Sequence, residues 1–341
     1  MAPSIYSPRG SLWHRWDLHF HTPSSYDYAD KSVTDQDIVE SLVKAGLSAV
    51  AVTDHHTIDV RRVRELQALS QGKLTVFPGI ELRSELGGKE TVHFIGIFPE
   101  DCDLDDVWTK LSAGLRITAS DLKAKGDGNI YCDFAESAAL IHELGGLVTV
   151  HGHGKASSIE GIANYPAFKA QLKTDLLQNH VDILEVGKEE RQADYRETVF
   201  PAIGFELPLI LGSDNHNVRK YAPSSPCWLR ADATFKGLQM VVYEPTDRVF
   251  IGDVPPDIVR LKSNKTKYID AVSFKRLGPE NPAHRWFSGT VLFNPGLVAI
   301  IGNKGSGKSA LADALGLVAG TRNGASFSFL NRDRFCPPVD R

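Results

Sequence analysis

"WDLHFHTPSSYD", residues 16–27, sets two imidazoles two positions apart and places a carboxylate six residues after the second. In an extended strand alternate side chains share a face, so Asp17, His19 and His21 point one way and Leu18 and Phe20 the other. A histidine pair on one strand face is more often a hydrogen-bonded structural element than a metal site. What the rest of the chain brings to that strand end therefore decides the reading.

Outward from this stretch, short apolar runs alternate with helical patterns as far as residue 215. "AVAVTD" (49–54), "LTVFPGIEL" (74–82), "TVHFIGIF" (91–98), "LVTVH" (147–151), "VDILEVG" (181–187) and "LPLILGSD" (207–214) have the Val, Ile and Leu content of strands covered on both faces. "TDQDIVESLVKAG" predicts a helix with Thr34 as N-cap, Asp37 completing a capping box, Ile38, Leu42 and Val43 on one face and Gly46 as the stop. "DFAESAALIHELGG" (133–146) predicts another, stopped by its Gly pair. Such alternation implies an α/β fold of parallel strands joined by right-handed crossovers, closed as a barrel, with a doubly wound open sheet as the alternative. A Pro-rich break, "GDVPPD" (252–257), sets the boundary, giving a barrel over 12–250, a linker over 251–285 and a β–loop–helix unit from 286.

The ends of the apolar runs carry the chemistry. "VTDHH" offers Asp54, His55 and His56; "GIEL" offers Glu81; "TVHFIG", His93; "VTVHGHGK", His151 and His153; "LGSDNH", Asp214 and His216. In a parallel barrel the C-terminal strand ends meet at one mouth. Imidazoles and carboxylates crowded there need neutralising, and divalent cations do this while using their lone pairs as ligands. A donor set of His, Asp and Glu without Cys suits zinc, manganese or iron, whose chemistry acidifies a bridging water and stabilises a phosphoryl transition state.

These six motifs, in this order, resemble those of the PHP (polymerase and histidinol phosphatase) metallophosphoesterases, over residues 12–250. The resemblance implies a distorted (β/α)7 barrel and nine ligands, His19, His21, Asp27, His55, Glu81, His93, His151, Asp214 and His216. It places two or three divalent ions (Zn, Mn or Fe): one among His19, His21, Glu81 and Asp214, a second among Glu81, His93 and His151, a third among Asp27, His55 and His216, with Glu81 bridging. "HGHG" departs from the His-Pro common in that family, and loop spacing favours His151 over His153. Asp54 and His56 are expected to orient ligands, and Lys155, Lys188 and Arg191 to be solvated cations or holders of substrate phosphate.

Near the end of the chain "GNKGSGKS" (302–309) fits GxxxxGK[ST] between an apolar run and a helix carrying Leu311, Ala314 and Leu315 on one face. Backbone amides of Gly302, Asn303, Lys304, Gly305, Ser306 and Gly307 would wrap phosphates, Lys308 would reach the terminal ones, and Ser309 would bind Mg²⁺ of ATP. With "WFSGTVLFNPGL" before it, the segment 286–341 resembles the beginning of an SMC/Rad50-like ABC-class ATPase head. No second acidic strand motif or signature motif precedes Arg341, so an incomplete head with poor ATP hydrolysis is expected, its usual dimerisation left open. The whole order resembles the TrlF-like PHP–ATPase fusions, which implies a nucleic-acid or nucleotide substrate and a role in nucleic-acid processing or phage defence.

Bulk properties exclude some classes. At 341 residues, 42% hydrophobic and 23% charged, the chain has the composition of a globular protein rather than a disordered one. A formal net charge of -4 gives no global attraction to nucleic acid. Residues 258–285 carry Arg260, Lys262, Lys265, Lys267, Lys275 and Arg276, a run that reads more readily as a solvated face than as a phosphate-backbone contact. Cys102, Cys132, Cys227 and Cys336 form no CxxC pair, which points to a reducing, cytoplasmic compartment. No run approaches the roughly 20 apolar residues that span a bilayer. The expected activity is a metal-dependent phosphodiesterase or nuclease; the alternatives are a phosphomonoesterase acting on a small metabolite and a metal-bound scaffold for an ATPase partner.

Overall fold

The computed structural model describes residues 8–85, 91–117, 129–161, 166–275, 289–322 and 326–331. Arg276, His284, Cys336 and the first residues of the 286–341 segment lie outside these. The chain divides into two compact units, Met1–Pro256 and Asp257–Arg341.

In the first unit nine strands form one sheet: β1 (Trp13–Phe20), β2 (Leu47–Val52), β3 (Thr75–Glu85), β4 (Thr91–Ile97), β5 (Leu147–His151), β6 (Ile183–Glu185), β7 (Leu209–Ile210), β8 (Cys227–Arg230) and β9 (Val249–Ile251). Their order is β7-β6-β5-β4-β3-β2-β1-β8-β9. β1 divides its free edge between two partners. Trp13–Arg15 pair antiparallel with β8, while farther along the chain returning from β7 lies parallel to β1, bridging Phe20 to Asn215. Two backbone bonds make this seam: Asp214 N–H donates to the His19 carbonyl (2.9 Å) and His21 N–H to that of Asn215 (3.2 Å). The buried Asp17 carboxylate braces it, accepting from Ser213 N–H (3.0 Å) and Tyr221 O–H (2.8 Å). The result is a mixed α/β fold with a nearly closed, barrel-like sheet.

Strand direction departs from the expected all-parallel arrangement. β1, β2 and β3 are mutually parallel, as are β5, β6 and β7, but β4 runs antiparallel to both β3 and β5. The cause is legible in the spacing: a parallel crossover needs a dozen or more residues, and β3 and β4 are separated by far fewer. His93 consequently reaches the mouth from the N-terminal end of its strand.

Packing follows the two-faced burial that the apolar runs require. Trp16 stacks on Phe77 at 5.6 Å and Phe94 lies 4.8 Å from Phe134, all four essentially without solvent contact. Helices α1 (Asp35–Lys44), α2 (Val60–Leu69), α3 (Leu104–Leu115), α4 (Phe134–Glu143), α5 (Pro166–His180) and α6 (Phe235–Tyr243) accompany the sheet. α1 has the reciprocal cap expected of it: Thr34 Oγ1 accepts from Asp37 N–H and the Asp37 carboxylate from Thr34 N–H, while Ile38, Val39 and Leu42 are buried. Asp133 caps α4 by accepting from Glu136 N–H.

At the other end of α4, His142 Nε2 donates to Asp182 at 2.8 Å, and that carboxylate raises the imidazole above its ordinary 6.5. A raised folded value means that the bond's stabilisation is complete below about pH 6.5 and fades as pH climbs through the elevated value. With both side chains partly exposed, His142→Gln is expected to cost only about 0.5–1 kcal/mol at pH 5.5 and close to nothing at pH 9, in paired urea titrations. An equal cost at both pH values would contradict the assignment.

In the second unit β10 (Ala271–Phe274) pairs antiparallel with β11 (Gly289–Leu292), and a helix occupies Lys308–Val318. The apolar run before the phosphate loop is not a strand, contrary to expectation: Leu297 is 96% and Ile301 89% exposed. A run covered on both faces needs strands beside it, and among the described residues none pairs with it. The helix buries Ala310 and Asp313, with Leu311, Ala314 and Leu315 half-buried, and Asp313 accepts from the Phe329 and Leu330 amides. Lys308 Nζ donates to the carbonyls of Gly302 (2.7 Å) and Asn303 (2.9 Å). Among the described residues no helix is long and apolar enough to cross a membrane.

Candidate metal centre

All nine residues singled out at strand ends lie around the mouth of the sheet. Four overlapping sets have donor atoms within 4.8 Å of one another: His19, His21, Glu81 and Asp214; Glu81, His93 and His151; His21, His55 and His216; and His19, His151 and Glu185. Asp27 joins the third, its Oδ2 lying 3.2 Å from both His55 Nε2 and His216 Nε2. His19, on β1, and His21, one residue past its end, bring their Nε2 atoms within 3.0 Å of each other. Glu81, on β3 and 1% exposed, is the hub, with carboxylate oxygens 3.3 Å from His19, 3.2 Å from His21, 3.1 Å from His55 and 2.7 Å from His93.

The imidazoles are held from behind. His19 Nδ1 donates to Glu185 (2.8 Å), His151 Nδ1 to the Ala156 carbonyl (3.2 Å) and His216 Nδ1 to the Asp214 carbonyl (3.0 Å), while His21 Nδ1 meets Ser25 Oγ (2.9 Å). Each of these contacts turns Nε2 toward the common cavity, the orientation in which protein imidazoles bind cations. His55 Nδ1, His151 Nε2 and His216 Nε2 are buried and make no hydrogen bond, although carboxylate oxygens of Glu81 and Asp27 lie 3.1 Å from the first and 3.2 Å from the last. Orphaned nitrogens of that kind are costly unless a ligand takes their lone pairs. The donor chemistry and the orphans together fit divalent cations.

Electrostatics agree with this fit. Burial pushes His55 and His151 down to about 4, keeping both in the neutral form that coordinates. Burial would lower His19 too, but Glu185, Asp214 and Glu81 outweigh it and hold that imidazole well above its ordinary value. For Asp214 burial works upward and loses to His19, His21 and Lys155, leaving the carboxyl far below the usual range. Four carboxylates, Asp27, Glu81, Glu185 and Asp214, thus face one cavity. Asp214 itself sits at φ +50°, a left-handed backbone that Asp tolerates at some cost and that is common at functional sites.

Glu185 is the residue that sequence reasoning missed. Within "VDILEVG" it is the last residue of β6, directly after Ile183 and Leu184, just as Glu81 and Asp214 follow their own apolar runs, and that shared position was the available signal. Its carboxylate is wholly buried, with Oε2 on His19 and Oε1 3.0 Å from Lys155 Nζ. Lys155 also reaches Asp214 Oδ2 at 2.9 Å, so it acts here as an internal counterion and not as a solvated cation. Gly212 makes room for this network: a Cβ there would lie 2.5 Å from that of His19 and 2.8 Å from Glu185 Oε1.

Other expectations need correction. Asp54 anchors the loop after β1, its carboxylate accepting from Thr22 N–H (2.7 Å) and Oγ1 (2.6 Å). Both ring nitrogens of His56 are buried without a partner, so it orients none of the ligands; burial, then the Arg83 charge, lowers it to about 3. His153 pairs with Asp194 (2.9 Å) away from the cluster that holds His151. The glycine between them is needed, because a Cβ on Gly152 would fall 2.5 Å from the Tyr195 hydroxyl. Arg191 pairs with Asp194 and Lys188 is exposed.

No family model and no curated protein matches this chain. Twenty chains of solved structures match it. One is the 2.40 Å crystal structure of a candidate metal-dependent phosphoesterase from Bifidobacterium adolescentis, 18% identical, covering 68% of this chain and 96% of its own, with a TM-score of 0.43.

Proposed function

We propose that this chain is a metal-dependent phosphoester hydrolase, and within that class a phosphodiesterase or nuclease acting on nucleic acid or nucleotides. One observation carries the proposal: ten His, Asp and Glu side chains, drawn from seven separate stretches of sequence, present donor atoms to one cavity in overlapping sets. The motif order that resembles the PHP metallophosphoesterases supports the same reading.

In this reading His19, His21, Glu81 and Asp214 hold one cation, Glu81, His93 and His151 a second, and Asp27, His55 and His216 a third. Zinc, manganese or iron bound there would polarise a phosphoryl oxygen and make a water acidic enough to attack near neutral pH. The protein's own part is orientation and charge. Glu185, the Ala156 and Asp214 carbonyls and Ser25 fix the imidazole rings, so no reorganisation is needed when substrate arrives. Glu81 carries charge shared between two of the sets, and Lys155 keeps Glu185 and Asp214 in place. We assign the GNKGSGKS loop (Gly302–Ser309) to ATP with Mg²⁺, its Lys308 lying against the loop's own carbonyls, as a module that modulates the hydrolase.

The test is metal content by elemental analysis, combined with hydrolysis of single- and double-stranded oligonucleotides and of small phosphate monoesters, with and without ATP. Two or three equivalents of metal are expected, with oligonucleotide cleavage that EDTA abolishes and manganese restores. Phosphate released from small monoesters alone would replace the nuclease reading with a phosphatase. Stoichiometric metal without turnover of any phosphoester would leave a scaffold.

A further inference from the structure

Beside the metal cluster stands a pair of side chains that its geometry does not require. Arg83 lies on β3 two residues beyond Glu81, hence on the same inward face and one step nearer the rim, and in the antiparallel register it faces His93. Tyr26 immediately precedes Asp27 in the loop after β1. Arg83 Nη2 donates to the Tyr26 hydroxyl at 2.6 Å, with the guanidinium carbon 5.8 Å from the ring centroid. The ring also rests against His55 at 5.1 Å between centroids, tilted by 38°. Thus a loop tyrosine that keeps 40% of its surface in solvent is pinned by a hydrogen bond and two ring contacts beside the cavity. Arg83 Nε, meanwhile, is buried and lacks a hydrogen-bond partner.

The structural gain from the pair is modest, because the buried Nε–H that stays unpartnered offsets part of what the hydrogen bond to Tyr26 and an exposed cation–π contact contribute. The combination does suit a ligand with a flat aromatic face and an anionic group: a rigid exposed ring for stacking, beside a guanidinium shaped for phosphate oxygens.

We infer that Tyr26 and Arg83 form the substrate-selecting wall of this site, Tyr26 stacking on the nucleobase of a nucleotide-type phosphoester and Arg83 gripping a phosphoryl oxygen. The inference rests on the phosphoester reading and narrows it to substrates that carry a heteroaromatic base close to the phosphorus. A base stacked on one fixed ring gains affinity in any sequence, because every base has a π face.

The experiment is calorimetric titration of the full-length, manganese-loaded protein with two phosphonates that cannot be hydrolysed, the 5′-methylenephosphonates of adenosine and of ribose. Wild type is expected to prefer the adenosine compound about tenfold. Tyr26→Ala should remove that preference by weakening the adenosine compound alone, and Tyr26→Phe, which keeps the ring, should retain it. Arg83→Gln should weaken both about tenfold. Equal affinities in wild type, or a preference that survives Tyr26→Ala, would overturn the stacking wall and leave the phosphoester reading standing. Unchanged affinities in Arg83→Gln would remove the guanidinium from the assignment. Failure of both phosphonates to bind wild type would overturn the inference together with the reading beneath it.

Discussion

Under the proposed function, Glu81→Gln is expected to lower phosphoester turnover by a factor of about a thousand or more and to remove at least one equivalent of bound metal. The size follows from the position of the carboxylate, which belongs to two of the four donor sets and lies within 3.3 Å of four imidazoles. Charge stabilisation by a bound cation contributes several kcal/mol to a phosphoryl transition state, and each 1.36 kcal/mol is tenfold in rate. An amide of the same shape has one oxygen in place of two and no charge, so it cannot serve two cations at once. Its NH₂ would also point a donor into the cavity. Because Gln preserves volume at a fully buried position, the fold should survive, but the metal-free chain should lose stability: burial pushes the Glu81 carboxyl up, yet His19 and the bonds from His19, His21 and His93 outweigh it and hold it well below the usual range, and Gln gives up that attraction. Elemental analysis, steady-state kinetics and thermal unfolding of the two proteins side by side test all three statements. Full activity in the Gln variant would end the metal-hydrolase reading.

The second large effect is expected at Glu185. Glu185→Ala leaves His19 Nδ1 without an acceptor and takes from Lys155, whose side chain is only 11% exposed, one of its two carboxylates. Breaking a buried ion pair by removing one partner costs about 3–5 kcal/mol, because the other charge stays behind without compensation. The metal should feel the change as well. Losing the group that orients a ligating imidazole lowers metal affinity or activity by about 10- to 100-fold. Glu185→Gln should be milder on both counts, since its carbonyl still accepts from His19 while its NH₂ faces the ammonium group. Denaturant unfolding of the metal-free protein measures the first quantity and competition with a chromogenic chelator the second. A Glu185→Ala protein within 1 kcal/mol of wild type and with unaltered metal affinity would show that Glu185 merely fills space.

Much of the site was legible because its members obey one local rule, a polar side chain directly after a run of apolar ones. That rule picks out His55, Glu81, His151, Asp214 and His216, and applied consistently it would have picked out Glu185. His93 obeys it only in reverse, standing near the start of β4, and its strand had to be turned around before its place at the mouth made sense. Asp17, which shares a strand face with His19 and His21, went the other way: its carboxylate is taken up by Ser213 and Tyr221 at the barrel seam. The phosphate-loop segment shows the opposite failure. "GLVAII" has the composition of a buried strand, yet composition does not supply the neighbouring strands that would make it one.

By itself, then, the order of residues determined what short-range physics controls. It set the reciprocal cap of Thr34 and Asp37, the span of β5 at Leu147–His151 and the alternation that puts His19 beside His21, since hydrogen bonds over three or four positions and the two-residue strand period need no distant partner. Tertiary structure alone decided the seam between residues 213–215 and β1 and the tying of Lys155 to Glu185 and Asp214. Each depends on which groups far apart in the chain come within about 3 Å of each other, and the energy of a buried charge is set by those neighbours and not by the residues beside it in sequence.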